Sequence, residues 1–156
     1  MSTTTPPAPM PVVTEEVWDC LEVASGVVRI TVATVDQFVP QMVNFEVVGG
    51  VNFKKGCFPG QEVVARSQYR GTLKRRSFLF ETSGPCAPGH EVFHSQDPEQ
   101  PAGMVVLAAS LRPGAHIALV EVKLASLEDG SLHVGQVGGS TLHLRRLPYE
   151  IPHEPA

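Results

Sequence analysis

Cysteine is scarce in this sequence: Cys20, Cys57 and Cys86 are the only three in 156 residues, odd in number and far apart. That scarcity argues against a disulfide framework, and without a CxxC pair neither a zinc ribbon nor a thioredoxin-type site is expected. A reducing compartment suits such usage, so the cytoplasm is the expected location. The first residues show no basic segment followed by an apolar one, and no secretory signal is predicted. The longest strongly apolar run, residues 104–109, is far short of the ~20 residues a membrane helix needs. GxSxG, P-loop and dinucleotide fingerprints are all missing, as is HExxH. His90 and His94 are four apart, but in a region of strands and turns that spacing does not bring them together, and no metal site is expected.

What is present reads as globular: 42% apolar and 18% charged residues, enough length for one domain and a real core. The net charge of −4 predicts no general attraction to nucleic acid or to an anionic membrane. Its distribution is uneven. Lys54, Lys55, Arg66, Arg70, Lys74, Arg75 and Arg76 fall within 23 positions with Glu62 the one acid among them, leaving +6 there and −10 elsewhere. Such a cluster is either a solvated face or an anion site.

Residues 1–13, rich in Ser, Thr and Pro, read as a disordered tail. Thr14 offers an N-cap and Glu15 and Glu16 a favourable first turn for a helix over residues 15–24, closed by Gly26. Val17, Trp18, Leu21 and Ala24 make its apolar stripe, which places Trp18 in the core. Residues 27–35 are dense in β-branched side chains and predict a strand. Pro40 breaks the chain, a short helical turn follows over 41–47, and Gly49-Gly50 ends it.

From Thr72 the pattern becomes short strands and frequent turns. Turn signals recur at residues 84–89, 97–103, 112–114, 128–130 and 138–139. Ala118, Val120, Val122 and Leu124 alternate with Leu119, Glu121 and Lys123, and Leu142 and Leu144 with Thr141, His143 and Arg145. Period two at this spacing predicts a small antiparallel barrel or sandwich of about six strands. The expected organisation is a tail (1–13), an α+β segment (14–71), a β-barrel (72–150) and a short tail (151–156).

The chemistry is concentrated in Lys54-Lys55-Gly56-Cys57-Phe58-Pro59-Gly60-Gln61-Glu62-Val63-Val64-Ala65-Arg66-Ser67-Gln68-Tyr69-Arg70-Gly71. A thiol at a helix entrance and beside ammonium groups has its thiolate favoured twice. A helix from near Pro59 puts Glu62, Arg66 and Arg70 on one face, and Gly71 stops it. Cys57 is therefore the candidate nucleophile, or else a buried small hydrophobe. Gly56 and Gly60 permit close backbone approach or serve as loop residues. Glu62 hydrogen-bonds a ligand or merely holds Arg66, while Arg66 and Arg70 grip carboxylates or form a surface ion-pair face. Cys20 and Cys86 lack basic neighbours and read as structural.

Lys-Gly-Cys-(aromatic)-x-Gly-Gln-Glu-x-x-Ala-Arg-x-x-(aromatic)-Arg-Gly resembles the signature of the YgfZ family, folate-binding relatives of the glycine-cleavage T protein. Residues 36–44, Gly49 to Phe53, Leu142-His143-Leu144 and Leu147-Pro148-Tyr149 resemble that family too, so the likeness covers roughly residues 17–150. It implies an α+β fragment followed by a small antiparallel β-barrel, like the C-terminal half of the T-protein fold. It further implies tetrahydrofolate as cofactor, with Lys55, Gly56, Gly60, Gln61, Glu62, Arg66 and Arg70 around it and Cys57 as the acting thiol. The function implied is an accessory role in iron–sulfur cluster assembly or repair, with effects on tRNA modification. Implied partners are iron–sulfur enzymes or their assembly machinery. A second chain supplying the family's N-terminal half, or a homo-oligomer, would cover the apolar faces of residues 17–53. An aminomethyltransferase-like folate enzyme and a non-catalytic partner-binding module are the alternatives.

Overall fold

Aromatic and β-branched side chains at alternate positions need a face to pack on, and from residue 75 they find it by closing a sheet on itself. The computed structural model describes residues 12–53, 56, 62, 64 and 73–152. Six antiparallel strands, β1 (Arg75–Thr82), β2 (Glu91–His94), β3 (Asp97–Arg112), β4 (Ala115–Lys123), β5 (Leu132–Val134) and β6 (Thr141–Arg145), form a closed barrel. Their order is β1-β4-β3-β2-β5-β6, and β6 returns to β1 through Leu79↔Arg145 and Glu81↔His143. The expected six-stranded barrel is thus present. The β3–β4 hairpin turns at Pro113-Gly114, where Gly114 takes φ +73.

The barrel interior is filled by Phe80, Val92, Val105, Ala118, Val120, Val122, Leu132 and Leu142. A second core lies between the barrel and the residues before it, joining Leu79, Leu107, Ile117, Leu119 and Leu147 to Val23, Val28 and Val43. β4 is therefore buried on both faces: Ala118, Val120 and Val122 serve one core and Ile117 and Leu119 the other. Burying a side chain of this size contributes roughly 1.5–3 kcal/mol, and β4, like β1 and β3, feeds both cores.

Ahead of the barrel, α1 spans Glu15–Ala24 with Thr14 at its N-cap, and Gly26 follows at φ +71. Its buried face differs from the expected stripe. Val23 is buried and Cys20 donates from Sγ to the Ser110 carbonyl of β3 at 3.0 Å, whereas Trp18 is 61% exposed and Leu21 57%. The helix has apolar residues on two sides and the barrel can cover one. Residues 27–35 are not a strand: no described ladder includes them, and Val32–Thr34 is a 3-10 turn. β propensity without a neighbouring strand does not make a sheet. The next turn, Pro40–Val43, is also 3-10 and ends at Asn44 in left-handed backbone, φ 60.

The turn expected over 97–103 is strand instead; the reversal is at Ser95-Gln96. Two register shifts in the β2–β3 ladder flank Phe93, which pairs with Pro101. Bulges are where a sheet tolerates proline, which donates no ladder hydrogen bond. Leu142 and Leu144 lie in β6, but the chain leaves the sheet before Leu147, and Leu147 and Tyr149 pack into the second core.

Gly103 faces Val122 across β3–β4, and a Cβ there would overlap the Glu121 carbonyl and the Val122 side chain. Gly103→Ala should cost about 1–3 kcal/mol, read as a lower denaturant midpoint. Gly114→Ala, with open space around it but a positive φ, should cost about 1 kcal/mol.

Candidate functional site

Of the eight residues singled out for chemistry, Gly56 and Glu62 are described; Cys57, Lys55, Gly60, Gln61, Arg66 and Arg70 lie outside the described residues. Gly56 is exposed, and a Cβ built on it meets nothing within 4 Å. Glu62 is exposed and, like Val64, stands in helical backbone. These two do not of themselves form a cradle for a folate ring.

The structure does show how the backbone at Val64 is held. Gln41, fully buried in the 3-10 turn, donates from Nε2 to the Val64 carbonyl at 2.7 Å. Next to it Asn44 donates from Nδ2 to the Ser77 carbonyl of β1 at 2.7 Å and to the Tyr149 hydroxyl at 3.3 Å, and Tyr149 donates in turn to the Gly26 carbonyl at 2.8 Å. Arg76, 5% exposed, donates through one guanidinium nitrogen to Asn44 Oδ1 at 3.3 Å, to the Gln41 carbonyl at 3.4 Å and to the Glu46 carboxylate. One side chain thus touches three points of the 41–46 turn. Removing either partner from such a buried pair strands a charge, which costs several kcal/mol.

A parallel pair, Arg75 with Glu121, is bidentate, with Glu121 2% exposed. It borders a cleft of about 220 Å³ between Gln37, Phe38 and Met42 and the barrel wall at Glu91, Pro101 and Met104. Arg75 and Arg76, two of the four arginines in the basic cluster, are thus neutralised by carboxylates remote in sequence, so the linear sum overstates the local field. Among the described residues, Glu46 Oε2, Gln41 Oε1 and Ser77 Oγ are buried without a hydrogen-bond partner. Among the described residues the arrangement is a positioning frame for the motif helix, with no nucleophile in it.

The cysteines read as structural behave accordingly. Burial pushes the Cys86 thiol above its ordinary pKa, away from reactivity at neutral pH. His90 and His94 serve separate backbone partners, Nδ1 of His90 accepting from the Ala87 amide and Nε2 of His94 meeting the Asp129 carbonyl at 2.7 Å. Gln41, Asn44 and Tyr149 received no role from sequence reasoning, and Arg76 only a place in the basic cluster. The one signal was Asn44 itself, a residue type that tolerates the left-handed region, next to a proline-started turn.

No protein-family model matches the chain. Among curated proteins it is similar to the tRNA-modifying protein YgfZ of Cronobacter sakazakii, 34% identical over 139 residues that cover 86% of this chain and 42% of the relative. The proteins of the same name from Shigella dysenteriae serotype 1 and Escherichia coli strain K12 are 34% identical over 137 residues, with the same shares. The chain is homologous to a C-terminal fragment of YgfZ. It spans about two-fifths of the length of the YgfZ relatives it matches. A contiguous match over 86% of 156 residues spans positions 54–71 wherever it begins. Among the described residues no helix is long and apolar enough to cross a membrane.

Two predictions follow from the frame. Asn44→Ala should lose about 2–4 kcal/mol, through buried hydrogen bonds and left-handed strain; Asn44→Gly should be less damaging by about 1 kcal/mol, the backbone part. Burial, the largest influence, raises the Tyr149 phenol's pKa against the lowering effect of the Asn44 hydrogen bond. A phenol with a higher pKa folded than unfolded gives a contribution that is complete below about pH 10 and declines as pH rises above it. Denaturant midpoints should therefore fall more steeply above pH 10 for the parent than for Tyr149→Phe.

Proposed function

We propose that this chain is the barrel-bearing part of a YgfZ-type accessory factor of the cytoplasm that supports assembly or repair of iron–sulfur clusters and, through cluster enzymes, the modification of tRNA. The observation that carries this reading is the match, over 86% of the chain, to relatives named tRNA-modifying protein YgfZ. Cys57 is the acting group: its sequence neighbours Lys54 and Lys55 and the helix that follows favour the thiolate. Tetrahydrofolate is the proposed cofactor on the strength of the family resemblance, with Lys55, Gly56, Gly60, Gln61, Glu62, Arg66 and Arg70 as its contacts. Gln41 supports the same reading from outside the motif, since it fixes the helix on which Glu62 stands.

The proposed partners are iron–sulfur enzymes or their assembly machinery, and a polypeptide, a second copy of this chain among the possibilities, that covers an apolar face. One feature favours a polypeptide partner: the apolar side chains of Val17, Trp18, Leu21, Val32 and Val35 turned to solvent. An exposed stripe of this kind marks an interaction face.

The test is complementation of a bacterial strain lacking its own YgfZ, with tRNA modification measured by mass spectrometry. Cys57→Ala should abolish most of the restored modification and Glu62→Ala should reduce it less. Full restoration by Cys57→Ala would remove the thiol from the proposal. Calorimetry with tetrahydrofolate checks the cofactor; no heat at high concentration would remove it.

A further inference from the structure

Where β1 begins and β4 ends, the chain leaves a cleft of about 450 Å³ lined by Leu73, Lys74, Arg75, Lys123, Leu124 and Ala125. Its volume falls within the roughly 300–1,000 Å³ typical of small-molecule sites. Its wall is almost wholly hydrocarbon. The lysines therefore line it with methylene stems, which carries their ammonium groups to its rim. The corner is held open by backbone: the Leu124 amide donates to the Lys74 carbonyl at 2.8 Å, tying the 3-10 turn Leu124–Leu127 to the start of β1.

The charges here are unequal. The Arg75 guanidinium is committed to Glu121 on the neighbouring face, but neither Lys74 nor Lys123 has a carboxylate within ion-pair distance among the described residues. No acid lines the cleft. An apolar trough with two uncommitted cations at its edge complements a molecule that has a hydrocarbon body and an acidic end. A neutral apolar ligand would leave the lysines unused, and an inorganic anion would leave the trough unfilled.

We propose that this cleft binds a small amphiphilic anion, its apolar body against Leu73, Leu124 and Ala125 and its acidic group between Lys74 and Lys123. The site is separate from the thiol chemistry proposed above, since none of the residues assigned there lines it, and it stands or falls independently of it.

The experiment is a titration of the full chain with 2-naphthoate, followed by amide chemical shifts, alongside its neutral isostere 2-naphthamide. Expected are saturable shifts confined to residues 73–75 and 122–126, binding of the amide at least tenfold weaker, and weakening of naphthoate by added salt. Lys74→Glu combined with Lys123→Glu should weaken naphthoate at least tenfold. Ala125→Phe, which fills the trough without touching charge, should do the same and serves if the double variant fails to fold. Shifts that do not saturate, that centre on Trp18 and Leu21, or that are matched by the amide would overturn the proposal.

Discussion

A guanidinium withdrawn from water must find acceptors, and Arg76 finds all of its recorded ones in a single turn of chain. The Glu46 carboxylate, the Asn44 side chain and the Gln41 carbonyl converge on it. Because a buried cation without these partners would be very costly, the 41–46 turn has one permitted position on the barrel. Asn44 then takes up left-handed backbone so that its amide reaches the Ser77 carbonyl, and Gln41 is left pointing at Val64. The backbone at Val64 is tied to the barrel by this chain of obligations.

The same logic explains why the barrel wall resists a simple inside–outside reading. In an isolated small barrel the outward residues of β4 would be polar. Here Ile117 and Leu119 point outward into the second core, and Glu121 on the same side is buried against Arg75. The helix α1, the stretch through Val28 and the turn at Val43 act as a lid on that side. Trp18 and Leu21 belong to the other side of the lid, which is why they meet solvent in this chain.

Much of the architecture was legible from residue order. Alternation along 118–124 and 141–145, punctuated by Pro113-Gly114 and Gly138-Gly139, pointed to the barrel, and Thr14 with Gly26 bounded α1 to the residue. What escaped was whatever depends on distant partners. Residues 27–35 carry strand propensity but no neighbouring strand, and the choice between two apolar helix faces rests on where β3 lies. Asp97 to Gly103 looks like a turn because of its two prolines, yet bulges absorb them. For the site, local pattern marked Cys57, which lies outside the described residues. It gave no hint that Arg75 and Arg76 are spoken for by Glu121 and Glu46, some 46 and 30 residues away in the chain.

The barrel is also uneven in how firmly it is stitched. β1 meets β4 over eight residue pairs, but it meets β6 over three, and β5 meets β6 over two. Thermal opening of the cylinder should start at this thin seam, where few ladder bonds have to break together. Since β1 keeps its long ladder with β4 while the seam parts, the strand that carries Arg76 stays anchored through such excursions. The frame around Gln41 and Asn44 is thereby insulated from the barrel's own breathing, and the molecule can be soft along one edge without loosening its grip on the backbone at Val64.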